Sequence, residues 1–310
     1  MRTGRSAELV LGSVQLGIAY GAANRTGKPE RETALRLIRR AANAGVSVFD
    51  TARAYGEAEE RLGAALAGRR TVRTITKLAP LDNLAPDASP EAVRAAVDLS
   101  LAESRAALRQ DRLDCLLLHR ASHMTAYGGA IWHRLQECVA DGTLGALGVS
   151  VQSPAEALAA LREAGVSHIQ LPFNILDWRW RKDGVIAALQ ARRSVTVHVR
   201  SVFLQGILAA NDPGIWPRIS GIDAPAVIAW LTRTAQALRR DSVADLALAY
   251  ARGQDWVDGV VVGQETEAQL EENLRLCTRP RLSADDCASV EASAPPLPAI
   301  LLDPARWPPQ

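Results

Sequence analysis

The sequence predicts a single (β/α)8 barrel, the TIM-barrel architecture, spanning residues 1–310. Three observations carry that expectation. Eight short β-rich runs alternate with longer helical patterns, which implies a parallel sheet. Eight such units in roughly 250 residues suit a closed barrel. No Gly-x-Gly-x-x-Gly follows any of the runs, so an open doubly wound sheet lacks its fingerprint; GSVQLG (12–17) keeps only the outer two glycines and has no helical pattern behind it.

The runs, in order, are ELVLGS (8–13), VSVFD (46–50), VRTITK (72–77), DCLLLH (114–119), ALGVS (146–150), HIQLPF (168–173), VTVHVR (195–200) and DGVVVG (258–263). Between the first two, TALRLIRRAANAG (33–45) repeats Leu35, Ile38 and Ala42 at helical spacing. Gly45 and Gly165 close helices before the second and sixth strands. SPAEALAALREAG (153–165) opens with Ser153 as N-cap and Pro154 at the first helical position. From about residue 280 the chain becomes proline-rich, and this tail is expected either to pack over the barrel or to hang free.

Composition narrows the function classes. The chain is 48% hydrophobic and 23% charged, as globular proteins are. Its net charge of +2 gives no field that would favour nucleic acid or an anionic membrane. The basic pairs Arg39-Arg40, Arg69-Arg70, Arg192-Arg193 and Arg239-Arg240 fall near expected helix ends, where cations suit the dipole. No apolar run is long enough for a membrane span, and the one behind the basic start MRTGR is too short for a signal peptide. Cys115, Cys138, Cys277 and Cys287 have no Cys-x-x-Cys spacing and read as reduced thiols, which fits a cytoplasmic location. Oligomeric state is not legible.

In a barrel, reacting groups sit where strands end at their C-terminal edge. The second strand ends at Asp50, with Tyr55 in the following loop; the third ends at Lys77 and the fourth at His119. Singly, each has an ordinary reading: a helix cap, a snorkelling lysine, a satisfied polar residue. Together on three consecutive strand ends they suit proton transfer to a polarised oxygen. A phenol ordinarily titrates near 10, too high to exchange protons readily at neutral pH. A nearby ammonium lowers that value, and Asp50 would hold Lys77 charged and aimed. A neutral His119 would donate a hydrogen bond to a substrate oxygen. None of these groups supplies a hydride, so a nicotinamide must.

VFDTARAYG (48–56), with ITK and LLLH at later strands, resembles the aldo/keto reductase family, and the resemblance covers most of the chain. It implies that Asp50, Tyr55, Lys77 and His119 form the catalytic tetrad, with Tyr55 as general acid when a small carbonyl is reduced. It further implies that Ser150 and Gln170 hold the nicotinamide carboxamide. At the end of the seventh strand, where the family usually has a tyrosine stacked on the nicotinamide, this chain has Arg200, followed by Ser201. Phe203 and Gly206 match the loop along the pyrophosphate. In VVVGQETEAQLEENL (260–274), Glu272 and Asn273 match the pair that meets the adenine. The positions that often grip a 2′-phosphate with lysine, serine and arginine are Gly263, Gln264 and Gln269, with Glu265 nearby. NADP(H), the family's usual cofactor, is favoured over NAD(H), although the charged clamp is missing.

Other residues invite lesser readings. His119 and His123 are four apart, but one closes a strand and the other lies in a loop, so no metal pair is expected. His198 reads as core. Trp178 and Trp180 are candidates to line a substrate site, with lid packing as the alternative, and with Arg200 they suggest a sugar-derived carbonyl. Trp216 and Trp230 read as helix-packing residues. Two rival functions remain: a cofactor-binding sensor or regulatory protein with little turnover, and a Schiff-base lyase or isomerase using Lys77, against which the adjacent Asp50 argues.

Overall fold

The computed structural model describes residues 7–308; the basic start of the chain (1–6) and the last two residues lie outside the described residues. Eight parallel strands close into a barrel in sequence order. They are β1 (Glu8–Gly12), β2 (Val48–Asp50), β3 (Arg73–Lys77), β4 (Cys115–Leu118), β5 (Leu147–Ser150), β6 (His168–Pro172), β7 (Thr196–Arg200) and β8 (Gly259–Gly263). β1 pairs with β2 on one side and β8 on the other, with Gly12 opposite both Asp50 and Gly263, so no edge is left open. Each expected run contains its strand, to within two residues at either end.

The core divides as strand alternation requires. Outward residues such as Leu11, Phe49, Leu116, Val149, Leu171, Val199 and Val262 join the helices in one large apolar shell. Inward residues Val10, Val48, Ile75, Cys115 and Leu117 form a second cluster, with Ala146 and Val261 against it. Two residues further along four of these strands stand Gly12, Asp50, Lys77 and Gly263, and His119 follows just beyond β4. Period-two alternation therefore carries the polar strand ends to the same inner face, at the C-terminal mouth.

One layer deeper lies a histidine pair. His168 and His198 meet edge to face at 4.4 Å between ring centroids. Cys115 Sγ lies 3.6 Å from His168 Nδ1. A Cβ at Gly259 would come within 2.7 Å of the His198 ring, so this glycine makes the room. His198 is thus core, as its sequence position suggests. Burial first, and then neighbouring positive charge, pushes His168 well below its usual 6.5 and His198 down to about 3. Both are neutral in the folded protein and accept a proton more readily once unfolded. Stability is therefore full above the unfolded value and is lost as pH falls from about 6.5 toward 3. The expected loss from His198 is about 2 kcal/mol between pH 7 and 5, and His168 acts in the same direction. Urea midpoints measured across that range should fall steadily; a flat profile would contradict the burial of the pair.

The proline-rich segment packs rather than hangs. Leu301 and Leu302 are buried, Trp178 Nε1 donates to Leu297 O at 3.3 Å, and Arg179 Nη2 donates to Leu302 O at 3.2 Å. The stretch thereby covers the loop after β6. No described helix is long and apolar enough to cross a membrane.

Candidate active site

Asp50, Lys77, Tyr55 and His119 come together at the barrel mouth. Lys77 Nζ lies 2.7 Å from Asp50 Oδ1 and also donates to Thr51 O at 2.8 Å. The other Asp50 oxygen accepts from Gln170 Nε2 at 2.7 Å. Lys77 Nζ stands 5.1 Å from the centre of the Tyr55 ring, and that ring meets His119 edge to face at 5.6 Å. Burial opposes the charge on Lys77 most strongly, but the Asp50 carboxylate and the Tyr55 phenol outweigh it and raise the ammonium above its usual value. Burial, then the charges of Lys77 and Arg200, pushes His119 down to about 3. The site therefore holds a charged ammonium and a neutral imidazole on either side of one phenol.

The loop carrying Tyr55 is fixed from several directions. Thr51 N donates to Ile75 O at 2.8 Å and Arg53 N to Lys77 O at 3.2 Å, so the chain leaves β2 alongside β3. The Arg53 guanidinium reaches the fully buried Glu59 at 2.7 Å, and Thr76 Oγ1 donates to the same carboxylate at 2.6 Å. Gly17, ending the short helix Val14–Gly17, presses on the loop from the other side: a Cβ there would lie 1.8 Å from Tyr55 O. Gly56 answers it, with φ of +55° and its own Cβ position 2.6 Å from Gly17 O. Gly17→Ala is expected to displace Tyr55 and lower kcat/KM about 100-fold with the barrel intact. Wild-type kinetics with an unchanged circular-dichroism spectrum would show that this contact does not set the phenol's position.

An open cleft of about 700 Å³ runs across the mouth from Tyr55 and His119 to the helix Glu267–Thr278. That volume suits a sizeable small-molecule ligand. Ser150, Arg200, Ser201, Phe203, Gly206, Gly263, Gln269, Glu272 and Asn273 all line it. Gln170 lies beneath, wholly buried against Asp50. Gln264 departs from expectation: its side chain is buried and donates to Gly12 O at 3.4 Å, spanning β8 and β1 rather than facing the cleft. Gln269 is near the cleft but committed, accepting from Glu265 N at 2.8 Å and Thr266 N at 3.2 Å and donating to Glu265 Oε1 at 2.9 Å. Arg200 faces the cleft; its hydrogen bonds to Ser201 Oγ and Val151 O are long, 3.4 and 3.3 Å.

The two tryptophans correct the sequence expectation. Trp180 is fully buried, held by Asp177 Oδ2 at 3.0 Å, and Trp178 is tied to Leu297; neither lines the cleft. They pack the lid, and the substrate inference built on them falls. Conversely, Ser13, Gln15, Tyr20, Asn24 and Gln205 line the cleft without having been singled out. Their loops close on each other: Gln205 Nε2 donates to Tyr20 Oη at 2.9 Å and Ala23 N to Gln205 O at 3.1 Å. Ser201, Leu204 and Gln205 hold φ values of +61°, +44° and +59° to allow it. Strain of this kind concentrates at ligand clamps. No sequence signal marks it, because none of the three is glycine.

The chain's own groups fit a nicotinamide dinucleotide. Gln170 Oε1 and Ser13 Oγ are buried without a hydrogen-bond partner at the tetrad end. Buried polar atoms in native proteins are nearly always satisfied, so these two leave hydrogen-bonding capacity unused beside the cleft. The cleft is long and open, with Ser150 at the strand end beside Gln170.

Comparison with known proteins agrees with this geometry. The model of the Aldo/keto reductase family matches residues 8–295. No curated protein sequence matches. Among solved structures, the holo form of aldo-keto reductase AKR11C1 from Bacillus halodurans has a TM-score of 0.76 at 21% identity, covering 94% of this chain and 93% of that one. Glycerol dehydrogenase AKR11B4 from Gluconobacter oxydans has a TM-score of 0.69 at 19% identity, covering 96% and 95%. At such identities the likeness is one of fold. The family match spans every strand of the barrel, and on it the chain belongs to the aldo/keto reductase family of NAD(P)-dependent oxidoreductases.

Proposed function

We propose that the protein reduces a small polar aldehyde or ketone to the alcohol, with Tyr55 as general acid. The observation that carries this reading is the phenol of Tyr55 set between a charged Lys77 and a neutral His119 at the head of the cleft. A nicotinamide held in the cleft would supply the hydride. Tyr55 gives its proton to the carbonyl oxygen as the carbon is reduced, and solvent restores it. Lys77, held by Asp50, stabilises the phenolate left behind. His119, unable to carry charge at neutral pH, donates a hydrogen bond that orients the carbonyl. Gln170 fixes Asp50 from below and, with Ser150, offers polar groups to the carboxamide.

The sugar-derived refinement goes with the tryptophans; Arg200 alone remains to favour a polar or anionic group on substrate or cofactor. Arg200→Ala is expected to weaken binding of one of them about tenfold, the worth of a charge-assisted hydrogen bond. Wild-type KM and cofactor affinity would place Arg200 outside the working site. The reading itself is tested by loss of reduced-cofactor absorbance with a panel of small aldehydes, ketones and oxoacids. Turnover of at least one, abolished by Tyr55→Phe, is expected; no turnover of any would count against it.

A further inference from the structure

The cleft's two ends are chemically distinct, and the difference bears on which dinucleotide it takes. This rests on the reductase reading, which requires the nicotinamide to lie beside Tyr55. An extended dinucleotide then sends its adenosine to the other end of the same cleft. That end is lined by Ser242, Glu265, Gln269, Glu272, Asn273 and Leu276. It therefore presents two carboxylates and, among the described lining residues, no lysine or arginine; Arg200, the one lining cation, stands at the opposite end on β7.

The neighbours do not reverse this balance. Gln269 closes the capping box of its helix with Thr266, and its amide nitrogen is spent on Glu265. Releasing it would leave the backbone N–H groups of Glu265 and Thr266 without their acceptor. Arg275 lies just outside the cleft, gripping Glu272 with two contacts of 2.9 Å and Asp241 at 2.7 Å. Arg279 also holds Asp241, at 3.0 Å, so Glu272 is paired, whereas Glu265 has no cation at all among the described ion pairs.

A 2′-phosphate carries close to two negative charges and needs charged donors. Ribose hydroxyls are donors themselves and suit carboxylate acceptors, the same chemistry by which an acidic residue selects NAD in other dinucleotide folds. Carboxylates facing a phosphate are also a repulsive element that rejects the wrong ligand. We infer that this protein is selective for NAD(H) over NADP(H), with Glu265 as the residue that discriminates. This reverses the order expected from the family's usual cofactor.

The test is calorimetric titration of the purified protein with NADH and with NADPH, at low and at moderate salt. NADH is expected to bind at least about tenfold more tightly, with the gap narrowing as salt screens the carboxylates. NADPH binding as tightly as NADH, or more so, overturns the inference and leaves the reductase reading standing. Binding of neither overturns the reductase reading and this inference with it. Glu265→Lys provides a second test, since the capping box of Thr266 and Gln269 rests on backbone N–H groups and only the contact from Gln269 Nε2 to the carboxylate is lost. The substitution is expected to raise NADPH affinity about tenfold and to weaken NADH binding, since the ribose hydroxyls lose an acceptor, so that the preference narrows or reverses; an unchanged ratio overturns the role given to Glu265.

Discussion

Tyr55→Phe is expected to lower turnover by about 10²–10⁴-fold while leaving cofactor affinity within about twofold of the wild type. The substitution removes one oxygen and keeps the ring that packs edge to face on His119 and under Lys77. Whatever is lost is therefore proton donation and not packing. On the proposed reading the cofactor lies along the rest of the cleft, from Ser150 to Asn273, and its binding should not register the change. Stopped-flow reduction of an accepted aldehyde, alongside calorimetry, separates the two quantities. Equal loss of turnover and affinity would make Tyr55 a structural residue.

Lys77→Met should have the second largest effect, and on two properties at once. Lys77 and Asp50 are an ion pair of 2.7 Å with both side chains almost wholly buried. Removing one partner leaves the other charge in a low-dielectric interior, which costs about 3–5 kcal/mol. Activity should vanish with it, because nothing then stabilises the phenolate. The double variant Asp50→Asn with Lys77→Met removes the stranded charge. It is expected to recover much of the stability and none of the activity. Gln170 Nε2 can still donate to the amide oxygen of the new asparagine, which preserves the lower contact. Recovery of activity in the double variant would show that Lys77 acts only by balancing Asp50. Measuring unfolding midpoints and kcat for Lys77→Met, Asp50→Asn, the double variant and the wild type closes the cycle.

The barrel was legible in the sequence because its strands are short apolar runs closed by turn residues, and such runs have little else they can form. The inner face was legible too. Alternation from Val48 to Asp50 and from Ile75 to Lys77 settles which side chains enter the barrel, so long as the strand is continuous. Beyond the last strand residue that rule stops. Gln264 follows Gly263 directly, yet turns back to Gly12, because β1 lies beside β8 in the closed barrel. Trp178 and Trp180 looked like aromatics over a mouth, but Asp177 and the distant Leu297 carbonyl bind them elsewhere. Those partners are remote or lie in irregular chain, where no periodicity reports direction. Gln269 is a different case. Thr266-x-x-Gln269 is a capping-box pattern readable from the sequence, and it would have warned that the glutamine was already engaged. The clasp between Tyr20 and Gln205 could not have been read, since it joins two loops 185 residues apart through non-glycine residues held at positive φ.

If hydride reaches a carbonyl carbon in this cleft while Tyr55 protonates the oxygen, label will follow it. Reduced cofactor carrying deuterium at nicotinamide C4 would be incubated with the protein and a panel of small polar carbonyl compounds. Product alcohols would be analysed by mass spectrometry and NMR. The expected result is deuterium on the carbinol carbon of at least one product, lost in Tyr55→Phe although that variant still binds cofactor. Tight cofactor binding by the wild-type protein with no label transferred to any carbonyl would rule out hydride transfer as its activity. The same fold would then serve to sense the nucleotide instead of spending it.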